Sequence, residues 1–389
     1  MTENRSRGSD AKRILILGVG NAQVDAIRHC RSLGHEVLGV SYRQEGPGLR
    51  YVNAFAQIDI CDVERLVGYS RCSQVDIVYS VGSDFATTSV ALVSEALDLP
   101  HYVSSHVASS LVDKGKVRDT LHQQGTNTVP YKVASQEQDL HSWKSLPAVV
   151  KPVDSQGQRG VWRVESRDDL LAAFERSRQF SRVGKVIVEE YISGNELSVN
   201  LHLHRGEVRH FFVSDRFSVL DMALGIPKGH RFPCRLAPGQ ESLLRSTVQS
   251  ALQAFGIEAG PVFMQLKNTR GCFHLIEIAG RLDGCHLWRL IKQSAGVDLL
   301  AESFAGLGVG KLAKSSSNYS LGKSCHRFSL VFDLEKPGVP YTTPKRRPPG
   351  TVFQEVYYQD REIVRSTNTY LEKTGYYIVD GDGFEGEAI

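Results

Sequence analysis

The segment VFMQLKNTRGCFHLIEIAGRLDG, from Val262 to Gly284, decides the fold of this chain. It predicts a β-hairpin, with an apolar run from Val262 to Leu266, a polar turn at 268–271 and a second run from Cys272 to Ile278. Glu277 stands inside the second run, and Arg281 follows it. Burying a carboxylate is costly unless a cation compensates its charge, so we expect either a metal ion or a tight Glu–Arg ion pair here.

The first strand of this hairpin offers Gln265 as a second oxygen donor. Successive side chains of a strand alternate between two faces, so Gln265 and Glu277 each project to one face of the hairpin. Whether the two faces coincide depends on the strand register, which the sequence leaves open. Glu277 is therefore interpreted either as a metal ligand or as part of a structural salt bridge.

The composition predicts a globular protein of two or three domains. The chain has 389 residues, 41% of them hydrophobic, and its 46 basic and 43 acidic residues give a net charge of +3. This balance predicts neither a nucleic-acid nor a membrane partner. The seven cysteines lack CxxC spacing, which argues against a zinc site and a disulfide framework. With a polar N-terminus and no long apolar segment, we expect a soluble cytoplasmic protein without signal peptide or membrane span.

The N-terminal part predicts a doubly wound parallel sheet. Ile14 to Leu17 is a short apolar strand, the turn GVGN follows, and a helix then leads to a second buried strand at Val37 to Val40. The further predicted elements are strands at Ile77 to Val81 and His101 to Val103 and a helix from Val90 to Leu97. The first domain is predicted to end near residue 112.

The GVGN turn leaves a dinucleotide-binding oxidoreductase as the alternative. A dinucleotide fingerprint has a third glycine and an acid after the second strand, but Ser41 and Tyr42 stand where that acid would be. The pattern therefore favours a structural Rossmann-like domain.

Two lysines with their surroundings predict a site for phosphates. Lys114 opens a helix whose first turn is rich in cations, which suits a bound anion or a solvated helix end. Lys151 ends an apolar strand and is followed by a loop with Ser155, Gly157 and Gly160. Such a loop can fold its backbone N–H groups over phosphates, while the lysine adds a point charge.

The segment EEYISGNE, residues 189–196, follows the next buried strand. Acids that leave a buried strand can present backbone groups to a base edge and a carboxylate to ribose hydroxyls, or they form an ordinary solvated strand end. A hairpin over 197–213 follows, then an irregular stretch at 214–239 that suits a loop over a site, and an amphipathic helix over 240–255.

Taken in order, these segments resemble the ATP-grasp superfamily, whose members activate a carboxylate with ATP as an acyl phosphate and pass it to an amine or another nucleophile. The resemblance covers roughly residues 13–310. It implies an α/β and α+β multidomain protein in which an N-terminal Rossmann-like domain precedes the ATP-grasp fold. The implied division is a flexible leader at 1–12, the Rossmann-like domain at 13–112, the ATP-grasp domain at 113–312 with a glycine-loop lid at about 131–195, and a C-terminal segment at 313–389 that packs on it.

The resemblance also implies a role for each matched position. The residues implied to bind ATP are Lys114, Lys151, Ser155, Gly157, Gly160, Glu189, Glu190, Tyr191, Ile192 and Glu196. The implied magnesium ligands are Gln265 and Glu277, and the implied catalytic residues are Lys151 and Arg281.

Two departures from the family pattern concern the metal site. Ala279 stands where the family's E-x-N-x-R pattern has asparagine, and Gln265 stands where an acid is commoner. One magnesium ion on Glu277 and the ATP phosphates is still implied, because Mg²⁺ often needs only one or two protein carboxylates. The number of metal ions stays open, and Asp283 is a nearby acid that would compensate.

The activity implied is that of a carboxylate–amine ligase, with ATP and Mg²⁺ as cofactors and a small carboxylate and an amine, such as amino acids, as substrates. A kinase that releases a phosphorylated product is the alternative, since it would use the same ATP site. The candidate substrate-binding residues are Arg216, His230, Arg231, Asp283, His286 and Arg289, whose cations would favour an anionic carboxylate. The sequence leaves the oligomeric state open, with a homodimer as one possibility.

Overall fold

The computed structural model describes residues 11–126, 129–219, 225–270, 272–313, 325–344, 346–366 and 371–381. Most of the predicted leader and the serine-rich link before Cys325 lie outside these residues. The strands of the described part form three sheets, of four, eight and four strands. None of its helices combines the length and apolar character needed to cross a membrane.

The first sheet is parallel, as predicted for a doubly wound domain. Its strand order is β3-β2-β1-β4, and Leu15, Leu17, Leu38 and Val78 form part of one buried side. The elements are β1 (Arg13–Leu17), α1 (Val24–Ser32), β2 (Glu36–Ser41), β3 (Ala54–Gln57), α2 (Val63–Cys72), β4 (Ile77–Tyr79), α3 (Asp84–Leu97) and α4 (Ser105–Val112).

One strand predicted for this region is wrong. His101 to Val103 pairs with no other strand and leads into α4, whose first turn is capped by Ser104. Tyr102 instead packs against Gly260 and donates its hydroxyl hydrogen bond to the Ser303 carbonyl. A short apolar run becomes a strand only where a neighbouring strand can pair with it, and this run lies between helices.

The second sheet is antiparallel, with strand order β5-β8-β6-β7. A helix packs over it through Leu170 and Phe174, and the Ser166 side chain caps that helix by accepting a hydrogen bond from the N–H of Asp169. The elements are α5 (Lys114–Gln123), β5 (Tyr131–Ala134), β6 (Ala148–Pro152), β7 (Trp162–Val164), α6 (Arg167–Arg178) and β8 (Val186–Glu190).

The eight-stranded sheet is antiparallel, with strand order β13-β12-β9-β10-β11-β14-β16-β15. Its first elements are β9 (Asn195–His204), β10 (Glu207–Ser218), β11 (Pro227–Phe232), α7 (Gln240–Phe255), β12 (Gly260–Thr269) and β13 (Cys272–Ala279). The remaining elements are α8 (Leu287–Ala295), α9 (Leu299–Gly306), β14 (Phe328–Glu335), β15 (Thr351–Val356) and β16 (Glu372–Asp380). The hairpin predicted from the opening segment is therefore β12–β13, with β13 at the sheet edge; Gly271 of its turn lies outside the described residues.

The stretch predicted to be irregular, 214–239, is partly a strand. β10 continues to Ser218, and β11 pairs with β10 on one side and with the distant β14 on the other. A six-residue segment that contains glycine and proline has weak strand propensity of its own, so its long-range partners decide its conformation.

The two faces of the large sheet have different partners. One face packs on α7, with Leu197, Val199 and Leu244 among its buried residues. The other face packs on α8, α9 and the first sheet, with Phe212 and Leu330 among its buried residues. The polar ends of β9, β12 and β13 remain uncovered beside the second sheet, and the candidate site lies there. The domain boundaries implied by the resemblance stay predictions.

Candidate active site

The register of the β12–β13 hairpin brings the two implied metal ligands together. Gln265 lies directly opposite Glu277, with a β-bulge immediately after Gln265. Directly paired residues of an antiparallel ladder project to the same face with Cβ atoms about 5 Å apart. Both side chains line one cleft, so they offer two oxygen donors to a single position.

Glu277 is not the buried carboxylate expected from its apolar neighbours. Its side chain is 38% exposed, because β13 is the edge strand and opens onto the cleft. The Glu–Arg contact is also long, with 3.8 Å between Glu277 Oε1 and Arg281 Nη2. An ion pair of this exposure contributes little stability, so the pair alone does not explain why a carboxylate stands here.

Arg281 has a closer partner in the first domain. Its side chain is 9% exposed, and its Nε donates a hydrogen bond of 2.6 Å to Asp84 Oδ1 at the start of α3. Burial alone would lower the pKa of this guanidinium, but the Asp84 carboxylate raises it above its usual value. Arg281 is thus a charged group held between Asp84 and Glu277, two acids that line the cleft.

The cleft between the second sheet and the large sheet encloses about 1260 Å³, with open solvent at its mouth included. The implied site residues that line it are Lys114, Lys151, Ser155, Gly157, Glu189, Glu190, Tyr191, Ile192, Glu196, Gln265 and Glu277. Gly160 does not line the cleft; a Cβ added at this position would meet Phe180 and Pro152.

Lys151 is held by a buried ion-pair cluster. Its Nζ lies 2.6 Å from Glu189 Oε2, while Arg118 Nε donates to Glu189 Oε1 at 2.7 Å. Burial would raise the pKa of the Glu189 carboxyl, but Arg118 and Lys151 lower it to about 2. Arg118 also donates to the backbone carbonyls of Leu275 and Ile276, so the cluster ties α5 and β8 to β13. The Glu189 carboxylate therefore positions Lys151 in this structure.

Glu196, implied to contact ribose, is surrounded by donors. Arg216 Nε lies 3.2 Å and Lys267 Nζ 3.3 Å from its carboxylate, and Ser218 Oγ donates at 2.8 Å. Burial raises the pKa of Glu196, but these two cations bring it below its usual value. Lys267 also lies 5.1 Å from the centre of the Tyr191 ring. Glu196 and its cations thus form one charged rim of the cleft.

The candidate substrate residues divide between different places. Arg216 contacts Glu196 at the cleft rim. His230 lies opposite Arg216 in the ladder and is buried, and neither of its ring nitrogens has a hydrogen-bond partner among the described residues. Arg231 pairs with Asp215 on the other face of the sheet.

Asp283 and its neighbours form a second group. Asp283 is buried, and its Oδ1 accepts the N–H groups of Cys285 and Leu287, while burial raises its pKa. His286 and Arg289 surround Asp25 of α1, with the His286 ring 3.6 Å from that carboxylate. None of these three lines the cleft. Their substrate roles stay predictions.

Several cleft residues were missed by the sequence reasoning. Arg118 had a signal, because it stands one helical turn after Lys114 in α5. Lys267 also had one, because it shares a strand face with Gln265. Gln156 had one too, because it stands inside the predicted glycine loop, whereas Asp84 had none, because only the tertiary structure places it at the cleft.

Comparison with known proteins agrees with this arrangement. The family model of the ATP-grasp domain matches residues 144–287, which include Lys151, the acidic segment and the β12–β13 hairpin. The D-alanine–D-alanine ligase of Acinetobacter baumannii is 27% identical over 286 residues, which are 70% of this chain and 82% of the relative.

Solved structures share the fold over nearly the whole chain. The L-amino acid ligase of Bacillus licheniformis superposes with a TM-score of 0.78 at 20% identity, over 97% of this chain and 95% of that one. The biotin carboxylase domain of Hydrogenobacter thermophilus 2-oxoglutarate carboxylase, solved with MgADP, superposes with a TM-score of 0.77 at 15% identity, over 96% and 87% of the two chains. Residues 144–287 match the ATP-grasp domain, and the fold class that the resemblance implied is confirmed.

ATP and Mg²⁺ are the cofactors that the resemblance implies, and the Hydrogenobacter thermophilus neighbour was solved with MgADP. The cleft fits ATP, since Val149, Ile276 and Ile278 give it apolar walls while Lys114 and Lys151 supply charge for phosphates. The donor set fits Mg²⁺, which prefers oxygen ligands. The asparagine position of the family is apolar here, because Ala279 is buried opposite Phe263 in the ladder. Gln265 and Glu277 therefore stay the hairpin's predicted oxygen ligands.

Proposed function

We propose that this protein is an ATP-dependent ligase that activates a small carboxylate as an acyl phosphate and couples it to an amine, with release of ADP and phosphate. The observation that carries the proposal is the direct cross-strand pairing of Gln265 and Glu277 in the cleft that also contains Lys114 and Lys151. Metal ligands and phosphate cations then face one volume, which is the arrangement that phosphoryl transfer needs.

In the proposed reaction Lys114 and Lys151 hold the ATP phosphates. The carboxylate oxygen attacks the γ-phosphorus, the bond to the β-phosphate oxygen breaks, and ADP leaves. The amine nitrogen then attacks the acyl carbon, loses a proton and expels phosphate. Magnesium, held by Gln265 and Glu277, would supply positive charge at the phosphates.

Two further parts of the site support this chemistry. Arg281 carries a planar guanidinium next to Glu277, a geometry suited to a carboxylate that becomes an acyl phosphate. The glycine loop around Gly157 lines the cleft, where it would exclude the water that hydrolyses an acyl phosphate.

The names of the relatives support the ligase class without naming this protein's substrates. Two of the three are an alanine ligase and an amino acid ligase. A kinase that releases its phosphorylated product remains the second candidate, because its ATP site would contain the same residues.

A screen of carboxylate and amine pairs, with ADP release and product mass measured on one sample, tests the proposal. A ligase requires both substrates and gives a product equal to their sum less one water. A kinase releases ADP with the acceptor alone and gives a product heavier by one phosphoryl group. Absence of ADP release with every pair, or thermal stabilisation by NAD(P)H with none by ATP, would contradict both.

Glu277→Gln is the matched test of the metal site. We expect turnover to be abolished while the melting temperature changes little, because the side chain keeps its shape and its ion pair is long and exposed. Activity and melting are measured on the same preparation. A structural role would give the reverse result: a lower melting temperature, with activity in proportion to the folded protein.

A further inference from the structure

We propose that Asp84, in the first domain, is the positioning residue that aligns Arg281 for the reaction and couples it to closure of the glycine loop. The inference rests on the proposed function, since it assigns Arg281 to the transferred phosphoryl group. It adds a residue that lies outside the matched ATP-grasp segment at 144–287.

The first observation is the geometry around Arg281. Asp84 Oδ1 accepts from Arg281 Nε at 2.6 Å, and Arg281 Nη1 donates to the Leu282 carbonyl at 3.1 Å. A guanidinium with bonds on two of its nitrogens has a defined plane and direction. Its Nη2 lies 3.8 Å from Glu277, the predicted metal ligand that lines the cleft. The Asp84 carboxylate thus fixes which edge of the Arg281 guanidinium faces Glu277.

The second observation is that the same turn of α3 contacts the glycine loop. The backbone N–H of Asp84 donates to Gln156 Oε1 at 2.9 Å, and Gln156 Nε2 donates to Ser83 Oγ at 3.2 Å. Gln156 stands between Ser155 and Gly157 in the loop. The Gln156 side chain therefore binds the Asp84 backbone N–H and the Ser83 hydroxyl, while Arg281 binds the Asp84 carboxylate.

The third observation fixes this turn relative to Arg281. Gly82 N donates to the Leu282 carbonyl, and a Cβ added at Gly82 would lie 2.8 Å from the Gly284 Cα. The two backbones are in contact, so the start of α3 and the loop that follows Arg281 hold each other in place. Gln156 of the glycine loop thus contacts the same turn that orients Arg281.

The variant Asp84→Asn separates these contacts. It removes the charge that pairs with Arg281 but keeps the backbone N–H that binds Gln156. We expect kcat to fall at least about tenfold, with the dissociation constant of Mg·ATP within about twofold of the wild type. Gln156→Ala should instead weaken Mg·ATP binding, because it removes the loop contact and leaves the Arg281–Asp84 bond intact. Glu64→Gln, an exposed acid in the first turn of α2, is the matched control and should change neither quantity.

The double variant Asp84→Asn, Arg281→Lys shows whether Asp84 acts through Arg281. If it does, adding Asp84→Asn to Arg281→Lys lowers kcat by less than about twofold, since the bond is already lost. Full additivity of the two kcat losses, or an unchanged kcat in Asp84→Asn, would overturn the inference. So would a kcat loss that follows the loss of folded protein.

Hydrogen–deuterium exchange separates failure of the inference from failure of the proposed function. A non-hydrolysable ATP analogue with Mg²⁺ should slow exchange in residues 154–160, and Gln156→Ala should reduce this protection. If the wild type releases no ADP with any substrate pair, the proposed function fails and Arg281 loses the role in which Asp84 would align it. If the wild type turns over and binding of the analogue leaves the loop unprotected, only the coupling is overturned.

Discussion

Lys151 has a structural role besides its proposed role in binding phosphates. It is buried, and it completes the cluster with Glu189 and Arg118 that joins α5, β6 and β8. The sequence suggested a lysine that adds phosphate charge without core packing. Its burial adds a structural role, because removing it leaves Glu189 with one cation instead of two.

We expect Lys151→Met to weaken ATP binding by at least about tenfold, roughly 1.4 kcal/mol, because a phosphate cation is lost. It should also lower the melting temperature, because a buried ion pair broken on one side leaves an uncompensated charge. Calorimetry with ATP and a thermal melt measure the two effects. Lys116→Met removes an exposed lysine in the first turn of α5 and serves as control. An unchanged ATP dissociation constant for Lys151→Met would mean that Lys151 is structural alone.

At the scale of elements, the meeting of α3 with the loop after β13 depends on glycine. Gly82 has φ of +70° and its backbone touches Gly284, so a side chain there would be strained and would clash with backbone. Gly68 lies inside α2, and an added Cβ would meet no atom within 4 Å. The two positions predict opposite effects of the same substitution.

We expect Gly68→Ala to raise the free energy of unfolding by about 1 kcal/mol, since alanine favours a helix interior over glycine. Gly82→Ala should lower it by about 1–3 kcal/mol and should also reduce turnover, because it separates α3 from the loop that carries Arg281. Urea denaturation and ADP release measure these effects. If Gly82→Ala were as stable and active as Gly68→Ala, the close approach of Gly82 to Gly284 would matter neither for stability nor for turnover.

On the scale of the whole molecule, burial of uncharged histidine makes stability depend on pH. His202 is buried beneath α9 beside Tyr102 and His210, near the charges of Arg209 and Glu302, and neither of its ring nitrogens has a hydrogen-bond partner. Burial, with the neighbouring His210, lowers the pKa of His202 from 6.5 to about 3. The unfolded chain therefore binds a proton between these two pH values that the folded chain does not bind.

It follows that the free energy of unfolding should fall as the pH is lowered from 6.5 towards 3, by about 1.4 kcal/mol per pH unit from this histidine. His202→Leu removes the titrating ring and should reduce that slope, whereas His106→Leu, at an exposed position of α4, should keep it. Urea denaturation at several pH values gives the slopes. Equal slopes in the wild type and His202→Leu would show that the ring is protonated in the folded protein.

Local sequence determined the elements whose signals are short-range. The apolar run before GVGN, the Ser166 helix cap and the β12–β13 hairpin each follow from neighbouring residues, because strand alternation, capping and turns depend on a few adjacent positions. The order and spacing of the lysines, the glycine loop and the acids also sufficed to predict the ATP-grasp domain that the family model matches.

The tertiary structure alone decided which of these groups meet. Gln265 lies opposite Glu277 because of the strand register. Glu277 is exposed because β13 is an edge strand. β11 is a strand because the distant β14 pairs with it. The partners of Lys151 and Arg281 come from other elements, and Asp84 stands nearly two hundred residues before Arg281. Long-range pairing and the packing of one domain on another set these contacts, and neither leaves a periodic signal in the local sequence.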